Sequence, residues 1–150
     1  MAEIPIQFGE FDAAADYVLR PGGYCVVRTS EGQIAIVRAS GCFYLPGGGQ
    51  EHRETPEQAA AREVLEECGL QVRITERIGV ADELVYAAAE RTHFRKRCTF
   101  FRAELLSEGT ASREPDHQLS WVDMKQAMSL LAHASQKWAV AKVLESLSAG

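Results

Sequence analysis

No apolar run in this chain of 150 residues approaches the roughly 18 residues that a membrane-spanning helix needs. The N-terminal stretch MAEIPIQFGEFDAAADY is acidic where an export signal has a basic region, and it holds no apolar segment of about 7 to 15 residues. A cytoplasmic protein without membrane partners is therefore the expectation. Cysteine is sparse: Cys25, Cys42, Cys68 and Cys98 stand far apart with no C-x-x-C pair, which excludes the usual zinc spacings and a disulfide framework and leaves reduced, buried thiols. An excess of positive charge is missing too. The formal net charge of −5 argues against general affinity for nucleic-acid backbones, which reward clustered Lys and Arg on one face. No internal repeat, low-complexity tract or linker-like shift in composition interrupts the chain, so a single domain over residues 1–150 is expected.

What is present is ordinary globular composition, 46% hydrophobic and 25% charged. The first sixteen residues read either as a loose arm or as an edge strand that completes a sheet or a dimer. From Tyr17, YVLRPGGYCVVR reads as strand, Gly-rich bend and strand, with QIAIVR as its hairpin partner across the Glu31-Gly32 turn. FYLP is a short strand closed by Pro46 and by Gly47, Gly48 and Gly49. The periodicity then turns helical over TPEQAAAREVLEECGL, with Thr55 as N-cap, Pro56 at the first helical position, Gln58 completing a capping box and Gly69 as the stop. Residues 71–88 and 97–106 are rich in β-branched and aromatic side chains and read as strands joined by the basic stretch RTHFRKR, and LSWV at 119–122 is a short strand. From Asp123 to Leu147 the spacing is helical, in two segments that break near Ala134, with Met124, Ala127, Met128 and Leu131 as one apolar stripe. Strands on both sides of a helix, with helices at the end, imply an α/β sandwich around a mixed sheet.

Within the first helix, Glu63, Glu66 and Glu67 project within about 100° of one another, while Ala61, Val64, Leu65 and Cys68 lie on the other side. A solvated amphipathic helix is the plain alternative, although such helices usually mix signs. Two carboxylates about 4 Å apart repel by roughly 4 kcal/mol at an effective dielectric near 20. A partly enclosed cluster of this kind takes up protons or holds a cation. Arg62 can offset one charge by an i, i+4 pair to Glu66, and the remainder fits a hard divalent ion that takes oxygen ligands together with substrate phosphates.

From Gly48 to Leu70 the chain reads GGQEHRETPEQAAAREVLEECGL. It satisfies G-x5-E-x7-R-E-U-x-E-E-x-G-U at every constrained position, U being a bulky aliphatic, and a chance match in a chain of this length is on the order of 10⁻⁷. By this stretch, by YLPGG before it and by the order of later strands and the terminal helix, the chain resembles the Nudix hydrolases. The resemblance implies a Nudix-type α/β/α sandwich. It also implies Mg²⁺- or Mn²⁺-dependent hydrolysis of a pyrophosphate bond in a nucleoside diphosphate linked to another group, such as a nucleoside triphosphate. Carried over by position, Glu63, Glu66, Glu67 and the carbonyl of Gly47 correspond to metal ligands, Glu54 to the more distant box carboxylate, and Arg62 to the residue that orients the glutamates. Glu66 is the first choice of general base, with Glu114 and Asp116 in the loop before the last strand as the alternatives. The one visible departure is Arg53, where many members have Gly directly before the first box glutamate.

For the substrate, Arg38 stands where members often hold a phosphate-contacting Arg, and the glycine run around Gly48 lets backbone groups approach ions and phosphates. RTHFRKR reads either as a solvated basic loop or as a flap that draws in polyphosphate, with Phe94 or Tyr86 stacking on a base. The four histidines form no ligand spacing and carry no assignment. The absence of proline between Pro56 and Pro115 disfavours the ADP-ribose hydrolases. The complete absence of asparagine disfavours an oxidised-purine triphosphatase that reads its base through an Asn amide. Tyr86 lies near where dinucleoside polyphosphate hydrolases carry a tyrosine. That class, RNA 5′-end pyrophosphohydrolases and a non-cleaving nucleotide-binding module are the alternative readings.

Overall fold

The computed structural model describes residues 3–109 and 116–149. Its strands are β1 (Ile6–Phe8), β2 (Tyr17–Arg28), β3 (Ile34–Ala39), β4 (Cys42–Tyr44), β5 (Gly47–Gly49), β6 (Leu70–Ala87), β7 (Thr92–Glu108) and β8 (Gln118–Val122), and its helices are α1 (Pro56–Cys68), α2 (Met124–Leu130) and α3 (Ala134–Ala149). The sheet runs β1-β6-β7-β2-β3-β4, with β5 added to β2 and β8 to β3. It is mixed, since β2 lies parallel to β7 and β1 parallel to β6 while the other pairs are antiparallel. One face carries α1 over Cys25, Val27, Val64, Leu70 and Phe101. The other carries α2 and α3 over Val26, Ile36, Phe100, Ala139 and Val140. This is the expected α/β/α sandwich. Of the two readings of the first sixteen residues, the edge strand holds: Ile6 pairs with Ala81.

Three expectations need correction. First, YVLRPGGYCVVR is one uninterrupted strand. Gly22 and Gly23 do not bend the chain; they make room, because a Cβ on Gly23 would lie 1.9 Å from the carbonyl oxygen of Pro56. The start of α1 rests directly on strand backbone. Second, β2 and β3 barely form a hairpin, sharing the single register pair Arg28 and Ile34. Beyond it the strands fork. β2 takes β5 as its neighbour, and β3 takes β4 and β8. Third, RTHFRKR is no loop but largely the first third of β7, reached by a turn through Ala88–Arg91. The reason is a buried charge. Asp82 on β6, 2% exposed, accepts hydrogen bonds from both Arg95 and Arg97, at 3.2 Å and 3.0 Å. A buried carboxylate of this kind must be paired, so it locks two of the four cations into the sheet.

The helix orientation also differs from the sequence reading. Ala59, Ala60, Val64 and Cys68 are the buried side chains of α1, while Ala61 and Leu65 face solvent. The buried stripe is therefore rotated toward Glu63 and Glu67, and two of the three glutamates are drawn into the protein. The tail behaves as expected, with Met124, Ala127 and Leu131 buried.

The contact between Gly23 and Pro56 gives a clear expectation. Gly23→Ala should lower unfolding free energy by at least about 2 kcal/mol, the scale of overpacking. Gly49→Ala, whose added carbon meets nothing nearer than 3.9 Å, should change it by less than about 0.5 kcal/mol in the same denaturant titration.

Candidate active site

The site is organised by how α1 begins and ends. Thr55 accepts a hydrogen bond from the Gln58 amide at 3.1 Å while the Gln58 side chain accepts from the Thr55 amide at 3.0 Å, the expected capping box. Gly69 at φ 68 closes the far end. The Gly-rich strand β5 is bound to the helix through side chains. The Gly47 amide donates to Glu67 Oε1 at 2.8 Å, and Gly49 O accepts from Arg62 Nη2 at 3.1 Å. A Cβ on Gly48 would come within 2.6 Å of the Glu63 carboxyl carbon, so the Glu63 side chain would have to shift from this position.

Arg62 is the node. Its guanidinium grips Glu54 in a fork, Nε to Oε2 at 2.7 Å and Nη2 to Oε1 at 2.9 Å. Nη1 reaches Glu63 at 2.8 Å and Glu66 at 3.1 Å, with Glu51 at 3.5 Å. Its expected pairing with Glu66 is thus one of four, and the shortest contact is to Glu54. The Glu54 carboxyl, hydrogen-bonded by Arg62 and then by the Glu51 amide, is held at a pKa of about 2. The Arg62 guanidinium is in turn held more firmly protonated, chiefly by Glu54. Arg53, in the loop that carries Glu54 into this grip, sits at φ 66. That left-handed conformation suits glycine better than arginine, which accounts in physical terms for the glycine expected there.

The carboxylates are graded in exposure. Glu67 is 13% exposed, Glu63 20% and Glu66 50%, so Glu66 is the one of the three open to the cleft. Among the described residues, no three His, Cys, Asp or Glu side chains already converge as a closed cage. What is present is an all-oxygen donor set on a glycine-lined ledge, and the five carboxylates Glu51, Glu54, Glu63, Glu66 and Glu67 exceed the single Arg62 by four charges. Such a set fits Mg²⁺ or Mn²⁺, and the thiolates and imidazole clusters preferred by softer ions are not part of it.

Other residues lie around the site, and sequence reasoning assigned no role to four of them: His117, Tyr24, Tyr44 and His133. His117, left unassigned, places Nε2 3.6 Å from Glu67 Oε2. The signal was its position beside Asp116 in the loop already singled out. Asp116 itself is exposed, and Glu114 lies outside the described residues. Arg38 pairs with Gln118 across β3 and β8, one residue beyond His117. Tyr24, 7% exposed, is buried in the core beneath α2 and α3; burial first, then Cys98, Glu67 and Glu63, push its hydroxyl pKa upward. Lys96 stands 5.8 Å from the Tyr24 ring. Across the fork, His133 and Tyr44 form a tilted ring pair at 5.3 Å, and burial followed by Lys96 pulls the His133 pKa down. The Ala132 amide donates to Phe43 O at 2.9 Å, tying the α2–α3 connection to this wall.

Tyr86 and Phe94 are not part of one surface. Tyr86 pairs with His93 and Phe94 with Val85 on adjacent strands, so the two rings leave opposite faces of the sheet. Phe94 is 4% exposed beneath the Arg20 guanidinium, 3.8 Å from its centroid. Tyr86 is 54% exposed in an aromatic cluster with His93 and Tyr17.

The Arg62 fork sets a titration. In ¹³C NMR the Glu54 carboxyl should titrate near pH 2, and Arg62→Ala should return it to the ordinary range of about 4.3. Because the folded-state pKa is depressed, this clamp supports the fold above about pH 4 and is lost as pH falls toward 2.

Comparison with known proteins bears on the family and the fold. The NUDIX domain model matches residues 18–144. A MutT-like protein of Streptomyces ambofaciens is 50% identical over 56 residues, 37% of this chain and 36% of that one, so the match spans about a third of that relative's length. The mouse diphosphoinositol polyphosphate phosphohydrolase 3-alpha is 28% identical over 131 residues, 84% of this chain and 76% of that protein. Among solved structures, a NUDIX hydrolase from Nitrosomonas europaea superposes with a TM-score of 0.70 at 15% identity, covering 85% of this chain and 89% of that one. The MutT NUDIX hydrolase from Burkholderia pseudomallei does so with 0.64 at 25%, covering 84% and 98%. With the family model spanning residues 18–144, most of its length, this chain belongs to the Nudix hydrolase family.

Proposed function

We propose that the protein hydrolyses a pyrophosphate bond in a nucleoside diphosphate linked to another group, a nucleoside triphosphate or related small nucleotide, with Mg²⁺ or Mn²⁺. The observation that carries this reading is the Arg62-centred cluster, in which every box carboxylate is retained and fixed beside the Gly47–Gly49 ledge. Glu63, Glu66, Glu67 and the Gly47 carbonyl would hold the ion. Once bound, it would neutralise phosphate charge and lower the pKa of its water.

The chain's own residues do the rest. Arg62 fixes the directions of Glu54, Glu63 and Glu66, so little reorganisation remains when substrate arrives. Glu66, the most exposed of Glu63, Glu66 and Glu67, accepts the proton of the attacking water. Lys96 and Arg38 supply positive charge at the rim for the outer phosphates, and Tyr44 with His133 offers a ring wall for the base across the fork. Gly48, without a Cβ, lets the Glu63 carboxylate lie against the ledge. Tyr86 and Phe94, on opposite faces, would serve different parts of a substrate at most; of the two only Tyr86 is exposed enough to meet a ring.

A second reading has its own support. The mouse relative is named for a diphosphoinositol polyphosphate substrate, so a non-nucleoside diphosphate belongs in the test. Purified protein should release phosphate or pyrophosphate from members of a panel of nucleoside triphosphates, sugar nucleotides, dinucleoside polyphosphates and diphosphoinositol polyphosphates, only with Mg²⁺ or Mn²⁺. Glu66→Gln should lower kcat by at least about a hundredfold. Unchanged turnover in that variant would overturn the role of Glu66. Tight binding with no cleavage of any panel member would make the protein a binding module.

A further inference from the structure

The first part of β2 is an open sheet edge. On one side β7 accompanies β2 along its whole length, but on the other β5 covers only Gly22 to Tyr24 and β3 meets only Arg28. Successive residues of a strand turn their backbone groups to opposite sides. The Pro21 carbonyl accepts from the Gln50 amide and the Cys25 amide donates to the Pro46 carbonyl, both at 2.9 Å, so the odd-numbered residues face the open side. There the amides and carbonyls of Tyr17 and Leu19 meet no partner among the described residues. Val18 and Leu19 are each 51% exposed. An uncovered apolar edge of this kind is a template for another strand. Pro21, which has no N–H to offer, closes the open stretch at one end, and the turn from Asp12 to Ala15 closes it at the other.

The five residues of this edge, Asp16-Tyr17-Val18-Leu19-Arg20, complement themselves when run antiparallel. Backbone geometry requires odd-numbered residues to face odd-numbered residues. A twofold axis at Leu19 would set Asp16 of a second copy against Gly22, where β5 already lies. An axis at Val18 avoids this and sets Tyr17 opposite Leu19 on both sides of it, with four main-chain hydrogen bonds. It also sets Asp16 opposite Arg20 at both ends, on the same face as the Val18 pair, so opposite charges flank an apolar centre. Arg20 now lies 3.8 Å over the Phe94 ring and 3.5 Å from Glu90. That ion pair joins side chains 48% and 54% exposed, which makes it weak and open to competition from Asp16.

From this self-complementary open edge we infer that two copies of the chain associate along Asp16–Arg20, antiparallel about Val18, to form one continuous sheet. Five residues a side bury less than the roughly 1,200 Å² of a standard interface, so the dimer is weak and half formed at about 0.1 mM. None of these residues belongs to the hydrolytic centre, so the inference stands or falls independently of the proposed reaction.

Sedimentation equilibrium between about 0.02 and 1 mM protein should show a monomer–dimer equilibrium, and the Tyr17 and Leu19 amides should gain protection from hydrogen exchange as concentration rises. Val18→Lys, which sets two like charges on the axis, should weaken association at least about tenfold and leave the denaturant midpoint of the monomer unchanged. Asp16→Arg and Arg20→Asp should each weaken self-association. An equimolar mixture of these two variants should associate as the wild type does, because both cross-pairs are again opposite in charge. That rescue separates edge pairing from a general effect of charge. A chain that is monomeric throughout the range overturns the inference, even if a different extended peptide protects the Leu19 amide. Dimerisation indifferent to Val18→Lys, or a mixture that associates no better than its components, overturns it too.

Discussion

The arrangement depends on one guanidinium. Arg62 satisfies three carboxylates with hydrogen bonds of 2.7–3.1 Å and also holds the carbonyl of Gly49. It therefore ties together the loop before α1, the helix itself and the β5 ledge. A lysine could supply the charge but not the planar fork that grips both oxygens of Glu54 while still reaching Glu63. Because the cation is shared among more carboxylates than it can neutralise, the cluster keeps its directions and a surplus of negative charge at once. Those two properties suit a site that waits for a divalent ion.

The backbone around this node is shaped by close approach. Gly23 lets α1 lie on β2, Gly48 lets Glu63 lie on β5, and Gly47 contributes its amide to Glu67. The fork between β2 and β3 parts the branch that carries Tyr24 and β5 from the branch that carries β4 with Tyr44. On the far side of the cleft, Asp82 fixes Arg95 and Arg97 within the sheet and leaves Lys96, on the opposite face, directed toward Tyr24.

What the sequence made legible was local. The capping box of Thr55 and Gln58, the Gly69 stop, the two-part tail and the placing of Glu63, Glu66 and Glu67 on a single helix all follow from spacing and from residue chemistry along the chain. What it concealed was tertiary. Nothing local tells that Gly22 and Gly23 accommodate a helix rather than a bend, or that a buried Asp82, 13 and 15 positions before Arg95 and Arg97, turns RTHFRKR into strand. The apolar pattern of α1 was misread on one side because Ala61 and Leu65 look like core residues, while the real packing surface is made by the small Ala59 and Ala60 that fit against β2. His117 comes to Glu67, Lys96 to Tyr24 and His133 to Tyr44 only through pairings between distant segments.

The claim on which the account turns is that the α1 carboxylates and the glycine ledge together form the principal divalent-cation site. Paramagnetic broadening by Mn²⁺, titrated into isotopically labelled protein and followed at every amide, tests it most directly. The account predicts early, saturable loss of the signals of Gly47, Gly48 and Glu63 through Glu67, reversed by excess Mg²⁺, while Arg28 and Glu145 at the far end stay sharp. Broadening that spreads evenly over all exposed acidic residues, or that begins elsewhere and spares α1, would contradict it.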